Sequence, residues 1–371
     1  MNSAGARAHI IAVGQIPPPV TGYAYITARM IETLGQTAEV ETINVSPGTR
    51  QGLRKHLHKA RQTIRACLRL AKNVHRVRFM YLGCEGDLGL IYTVTLTLAA
   101  RLFGYTILLH HHSFSYIDRA SRLMRLILRV GGIQIRHVFL CSTMLDRFEA
   151  QYGKVQDSRI VSNAAFVESG AAPKGVPSFG HLRIGLLSNL TREKGLYTFI
   201  DLLRRLKQSH AEVQGLLAGP IANEEDKANV AAAEAELGGT LQYVGPVYGE
   251  AKDRFYGDID VFVFPTQYAN EAQPTVLFEA RAAGNRVIAY DRGCIGSQVG
   301  NSGLAIPVGD DFCVGASAHL EKSLRKGPIN ASERQQIIRE FQDARTAALH
   351  SANDLIGSTP SLVSSSLRCF L

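Results

Sequence analysis

The sequence has no acidic residue between Glu41 and Glu85, a gap that holds ten cations. It has no CxxC pair. Its cysteines, Cys67, Cys84, Cys141, Cys294, Cys313 and Cys369, lie far apart, which argues against a zinc site and for reduced thiols. Cys369 is third from the end, outside a prenylation pattern. The loop after the first strand pattern lacks GxGxxG, so it carries no dinucleotide fingerprint. No signal peptide is visible, because the first apolar run, His9 to Val13, is short and follows a small polar leader. The longest apolar stretch, Leu88 to Leu109, is interrupted by Arg101 and Gly104 and reads as helix, turn and strand rather than a membrane span. Together these absences predict a cytoplasmic protein.

What is present is an ordinary globular composition, 46% hydrophobic over 371 residues, enough for two domains with real cores. Strand and helix patterns alternate throughout, which predicts parallel sheets and an α/β fold class. Strands are expected near 8–14, 38–44, 77–82, 105–110, 136–141 and 158–162, with helices near 22–35, 50–74, 88–102, 117–131 and 142–151 between them. A stretch rich in Ala, Gly, Pro and Ser follows. The pattern then restarts, with strands near 182–188, 212–218, 240–244, 260–265, 285–289 and 303–307. Helices are expected near 195–207, 223–236, 249–256, 274–283, 311–325 and 331–350. The predicted organisation is a Rossmann-like domain over 1–165, a linker over 166–180, a second Rossmann-like domain over 181–350, and a Ser-rich tail over 351–371. A ligand would bind in the cleft where the C-terminal strand edges of the two domains face each other.

Charge is uneven. Residues 1–180 carry 22 Lys/Arg against 10 Asp/Glu, and residues 181–371 carry 19 against 22, within a total of +9. The acid-free gap holds Arg50, Arg54, Lys55, Lys59, Arg61, Arg65, Arg69, Lys72, Arg76 and Arg78, interleaved with Leu53, Leu57, Ile64, Leu68 and Leu70 at roughly helical spacing. A second basic helix runs through Arg119, Arg122, Arg125 and Arg129. Basic amphipathic helices suit an anionic membrane surface, and the alternative is a solvated face. No nucleic-acid module or aromatic stacking pattern accompanies the charge, so nucleic acid is not the expected partner.

The run Asn270-Glu271-Ala272-Gln273-Pro274-Thr275 follows the buried strand pattern Val261 to Phe264 and leads into a helix that carries Glu279. Pro274 suits a helix start, where its missing N–H is no loss. The free N–H groups there favour an anion such as phosphate. Glu271 and Glu279 would instead accept from hydroxyls. A ligand with both phosphate and sugar satisfies both demands.

Other residues converge on the same edges. Thr21 and Gly22 end the stiff loop Pro17-Pro18-Pro19-Val20, and the glycine permits close backbone approach. His110, His111 and His112 end a strand. Alternation puts His110 and His112 on one face, and three consecutive histidines do not make one metal site. Asn189, Arg192, Lys194 and Gly195 form a turn before a helix, where a cation adds to the field of the helix start.

In combination these residues resemble glycosyltransferase family 4, the large retaining family with the GT-B fold, over roughly residues 9 to 350. The carrying motifs are the Pro-Pro-Pro-Val-Thr-Gly loop, His112-Ser113-Phe114, Lys194-Gly195, and Glu271 with Glu279 as an E-x7-E pair. The resemblance implies a donor site with Gly22 near the donor phosphates, His112 on the donor sugar and Lys194 on the diphosphate. It places Glu271 near the sugar, Glu279 on the ribose, and the backbone of Ala272, Gln273, Pro274 and Thr275 against phosphates and sugar. The family has an arginine five residues before the lysine, where this chain has Asn189. Arg192 is the candidate substitute. The implied reaction moves a sugar from a UDP- or GDP-sugar to a carbohydrate or lipid-linked acceptor, in surface polysaccharide or glycolipid assembly. It retains configuration and uses no metal and no cofactor. A nucleotide-sugar epimerase on the same fold and a non-catalytic nucleotide-sugar binder remain alternatives.

Overall fold

A computed structural model describes residues 8–48, 50, 52–75, 79–168, 181–326 and 329–356. Arg76, Arg78, most of the expected linker (169–180) and the end of the tail (357–371, with Cys369) lie outside the described residues.

The first half forms β1 (Ala8–Gly14), α1 (Gly22–Thr37), β2 (Ala38–Asn44), α2 (Gly52–Lys72), β3 (Phe79–Cys84), α3 (Leu90–Leu102), β4 (Thr106–His111), α4 (Ser115–Asp118), α5 (Arg122–Gly131), β5 (Ile135–Phe139), α6 (Ser142–Tyr152) and β6 (Ser158–Ile160). Its six strands are parallel in the order β2-β1-β3-β4-β5-β6. The second half forms β7 (Leu182–Leu187), α7 (Leu196–Gln208), β8 (Val213–Ala218), α8 (Glu224–Leu237), β9 (Leu241–Gly245), α9 (Glu250–Gly257), β10 (Val261–Phe264), α10 (Thr275–Ala282), β11 (Arg286–Asp291), α11 (Ile295–Val299), β12 (Leu304–Pro307), α12 (Phe312–Lys326) and α13 (Ala331–Asn353). Its order is β12-β11-β10-β7-β8-β9, again parallel.

Both faces of each sheet are covered, so central strands read as unbroken apolar runs. In β1, Ile11 and Val13 enter one core cluster while Ile10 and Ala12 enter another on the opposite face. The order of each sheet reverses once, between β1 and β3 in the first and between β7 and β10 in the second. At such a switch point the following loops diverge and leave a crevice at the carboxyl edge. The loops after β1, β3, β7 and β10 are therefore where a ligand has room.

One expected helix is two. The backbone of Arg119 is extended, and the Ser121 side chain caps α5 by accepting from the Met124 N–H at 3.4 Å. The final helix reaches back to the first half. Phe341, Ala348, Ala352 and Leu355 pack into the cluster of Ile26, Met30 and Phe166. Arg136, buried and ion-paired to Asp157 at 2.7 Å, donates to the Leu355 carbonyl at 2.6 Å. The same helix is pinned to the second half by Arg334–Asp260 at 3.0 Å and by Glu333–Arg286 and Glu340–Arg281 pairs.

The cysteines correct an expectation. Cys141 and Cys294 form a disulfide, with Cα atoms 6.1 Å apart, although 153 residues separate them in sequence. Spacing along the chain says nothing about two cysteines that the fold brings face to face. Cysteine usage thus carries no argument for a reducing compartment. Among the described residues, no helix is long and apolar enough to cross a membrane.

Candidate functional site

A cavity of about 610 Å³ lies where the two switch points face each other. Residues from all four diverging loops line it: Gln15 and Thr21 after β1, Glu85 and Asp87 after β3, Asn189 and Lys194 after β7, and Tyr268 with Asn270 to Thr275 after β10. His112, Ser113 and Asn163 complete the wall of the first domain.

On that wall, Thr21 caps α1, its hydroxyl accepting from the Ala24 N–H at 3.1 Å. A Cβ added at Gly22 would meet no atom within 4 Å, so the fold leaves open space there on the cavity side. Of the histidines, His112 is the one that lines the cavity. Its Nε2 is buried without a hydrogen-bond partner, and its ring meets the Tyr23 ring edge-on at 4.7 Å. Burial first, then His110 and His111, hold its pKa well below the usual range, so it is a neutral imidazole at pH 7. His110 sits behind it, Nδ1 against the Tyr81 hydroxyl at 2.8 Å. His111 points to the opposite face, between the Tyr116 hydroxyl and His137, each at 2.9 Å.

The facing wall belongs to the second domain. Lys194 donates to Glu271 at 2.5 Å and lies over the Tyr268 ring at 4.5 Å. Glu271 is buried and also accepts from the Thr266 hydroxyl at 3.2 Å. Gly195 is not on the cavity surface. It sets the turn that aims Lys194: its φ is +88°, and an added Cβ would fall 2.6 Å from the Pro265 carbonyl oxygen. Gly195→Ala therefore combines left-handed strain with a backbone clash. We expect it to lower the melting temperature and to weaken binding of a phosphate-bearing ligand in the cavity even in the folded fraction, read by thermal melts alongside titration with a nucleoside diphosphate. A variant that melts and binds like wild type would refute this role.

Pro274 precedes α10 with extended ψ, and no side chain caps the helix. The first-turn N–H groups of α10 thus start at the cavity with no side-chain acceptor, which suits an anion. Gln273 is committed elsewhere. Its side-chain carbonyl accepts from the Asn163 N–H at 2.7 Å and the Ser162 hydroxyl at 3.2 Å, and its amide donates to the Leu140 carbonyl at 3.1 Å. It ties the two domains together beside the disulfide while still lining the cavity. Glu279 lies further along α10, outside the lining, and accepts from Lys252 and the Tyr256 hydroxyl, each at 3.0 Å. Arg192 is also outside the lining; its guanidinium stacks over Tyr197 at 4.3 Å. Asn189 lines the cavity.

Among the lining residues that the sequence reading left without a role are Gln15, Glu85 and Asp87. Glu85 accepts from Gln15 at 3.0 Å and pairs with Lys59. The available signal was that Glu85, the first acid after the long gap, follows a buried strand at a switch point.

The family model described as glycosyl transferases group 1 matches residues 180–321. Among solved structures, HepE of Anabaena in complex with UDP is similar at 14% identity and TM-score 0.66, covering 94% of this chain and 98% of that one. The lipopolysaccharide outer core galactosyltransferase WaaB in its apo form is similar at 14% identity and TM-score 0.66, covering 94% and 99%. Sucrose-phosphate synthase of Thermosynechococcus elongatus is similar at 15% identity and TM-score 0.66, covering 95% and 98%. No sequence among curated proteins matches. The architecture is GT-B: two Rossmann-like domains facing across a cleft.

Proposed function

We propose that the chain is a glycosyltransferase that moves a sugar from a nucleoside diphosphate sugar, UDP- or GDP-linked, to a hydroxyl of a carbohydrate or lipid-linked acceptor in surface polysaccharide or glycolipid assembly. One observation carries the reading: Lys194 and the uncapped start of α10 face the same cavity as Glu271 and His112. The group 1 model over the second domain supports it. So does a structural relative in complex with UDP-glucose, the Anabaena HepE protein, at 16% identity.

The bond from the anomeric carbon to the diphosphate breaks, and a bond from that carbon to the acceptor oxygen forms. The developing negative charge on the diphosphate is met by Lys194 and the N–H groups of α10. Lys194 and these N–H groups are the positive end of the site, and the reading assigns no metal to it. His112, neutral and with a spare nitrogen, bonds a sugar hydroxyl, as does Glu271. Glu279 takes the ribose. Its carboxylate has acceptor positions left, since Lys252 and Tyr256 use two of about four. Gln15, Glu85 and Asp87 on the opposite wall hold the acceptor. Retention follows from the family resemblance.

Calorimetric titration with UDP, GDP and ADP tests the donor class. One nucleotide should bind best, and Glu279→Ala should weaken it by about ten-fold or more, the scale of a hydrogen bond to a charged group. Absence of binding to all three would sink the reading.

A further inference from the structure

We propose that the outer face of α2, α3 and α5 docks this protein on an anionic lipid bilayer. The docking itself does not rest on the transferase reading.

The first observation is exposed apolar surface in register. Leu53, Leu57, Ile64 and Leu68 follow one another along one side of α2, and each is 61–74% exposed. On α3, which packs against α2, Ile91, Leu98 and Leu102 form a second exposed row. Helix α5 packs against α3 and extends the face with Leu126. A solvated helix keeps its outer side polar. Three neighbouring helices with outward leucines and isoleucines do not.

The second observation is charge. None of α2, α3 and α5 contains an acidic residue. Arg54, Arg61, Arg65 and Lys72 run beside the apolar row of α2, and Arg122, Arg125 and Arg129 are exposed on α5. Apolar side chains rimmed by cations are what an interfacial helix presents to acyl chains and anionic headgroups. A second copy of this chain would set cation against cation. Nucleic acid would meet leucines where it needs polar contacts or aromatic rings.

The third observation links this face to the cavity. Lys59, on the inner side of α2, pairs with Glu85 on the cavity wall. Immediately after Glu85 the chain turns into α3. A bilayer under α2 and α3 therefore lies next to the wall assigned to the acceptor, the position from which a lipid-linked acceptor enters.

Cosedimentation with vesicles tests the proposal on the full chain. The vesicles are phosphatidylcholine alone, or phosphatidylcholine with phosphatidylglycerol. The protein should partition into the anionic vesicles far more than into the neutral ones, and less at high salt. Arg61→Ala with Arg65→Ala should lower partition about 30-fold, at roughly five-fold per cation. Leu57→Glu with Leu68→Glu should lower it at least as much, with the melting temperature unchanged because the sites are exposed. Equal partition into both vesicle types overturns the proposal, as does partition that neither pair of substitutions changes. A dimer in sedimentation velocity that the leucine substitutions dissolve, with no vesicle binding, assigns the face to a second copy instead. Nucleotide titration of the same variants reports on the cavity separately, so its failure leaves the vesicle result standing.

Discussion

Replacing Lys194 with alanine is expected to lower the rate of nucleotide release from the donor by about 10²- to 10³-fold, the scale for losing one preorganised charge at a reacting centre. Lys194 is the cation that faces the cavity next to Glu271, and the turn at Gly195 fixes its approach. Arg192 does not stand in for it, because its guanidinium is stacked on Tyr197. With Asn189 where a second cation would be expected, the site has little redundancy. Lys194→Arg should rescue only in part, since a planar fork does not reproduce a compact ammonium. Removal also leaves the buried Glu271 with Thr266 alone, so a thermal melt should accompany the kinetics. Steady-state assays across a panel of UDP- and GDP-sugars provide the test. A loss below about three-fold in a folded variant would show that the diphosphate is not bound here.

Mild acid is expected to unfold the protein before most of its carboxylates titrate. Burial pushes His110 down to about 3 and His137 down to about 4. Burial, with the neighbouring histidines, holds His111 and His112 well below the ordinary range. In the unfolded chain each titrates near 6.5. The folded pKa values are depressed, so these groups cost little above about pH 7.5, where both states are neutral. As pH falls below that value the unfolded chain takes up protons that the folded chain refuses, and stability is lost. Each group costs up to about 1.4 kcal/mol per pH unit, so four together cost up to roughly 5.5 kcal/mol per unit, against a total stability of roughly 5–15 kcal/mol. Urea unfolding followed by circular dichroism at about pH 7.5, 6.5 and 5.5 should show a midpoint that falls a little across the first interval and about three times as much across the second. A midpoint unchanged at the lowest pH would mean these imidazoles are hydrated.

The strands were legible because a parallel sheet buried on both sides leaves almost no polar residue in its centre. Val261 to Phe264 and Ile10 to Val13 can hardly be anything else. The helix pattern between them then fixed the class. Lys194, Glu271 and the start of α10 were legible for a related reason: the carboxyl edge of a parallel strand is where such sheets bind ligands, and strand ends are visible in sequence. What stayed hidden depended on three-dimensional neighbours. Cys141 and Cys294 lie in different domains, and only the folded cleft brings them together. The sequence placed only the backbone of Gln273 at the site, and gave no sign that its side chain ties to Asn163 and Leu140 across the domains. Glu279 and Arg192 have the right residue types, but Lys252 and Tyr197 decide where they point. Alternation narrowed the histidines to His110 and His112. The Tyr81 hydroxyl, which holds His110, separates them.

The return of α13 to the first half sets an order of events during synthesis. Ile26, Met30 and Phe166 are made early, yet the residues that cover them, Phe341 to Leu355, leave the ribosome only after the whole second domain. Until then the first domain carries an uncovered apolar groove, and the buried Arg136 lacks the Leu355 carbonyl. A nascent chain in that condition invites non-native association and chaperone capture. The helix works as a late-arriving latch, and the interval before it closes is when the protein is most vulnerable.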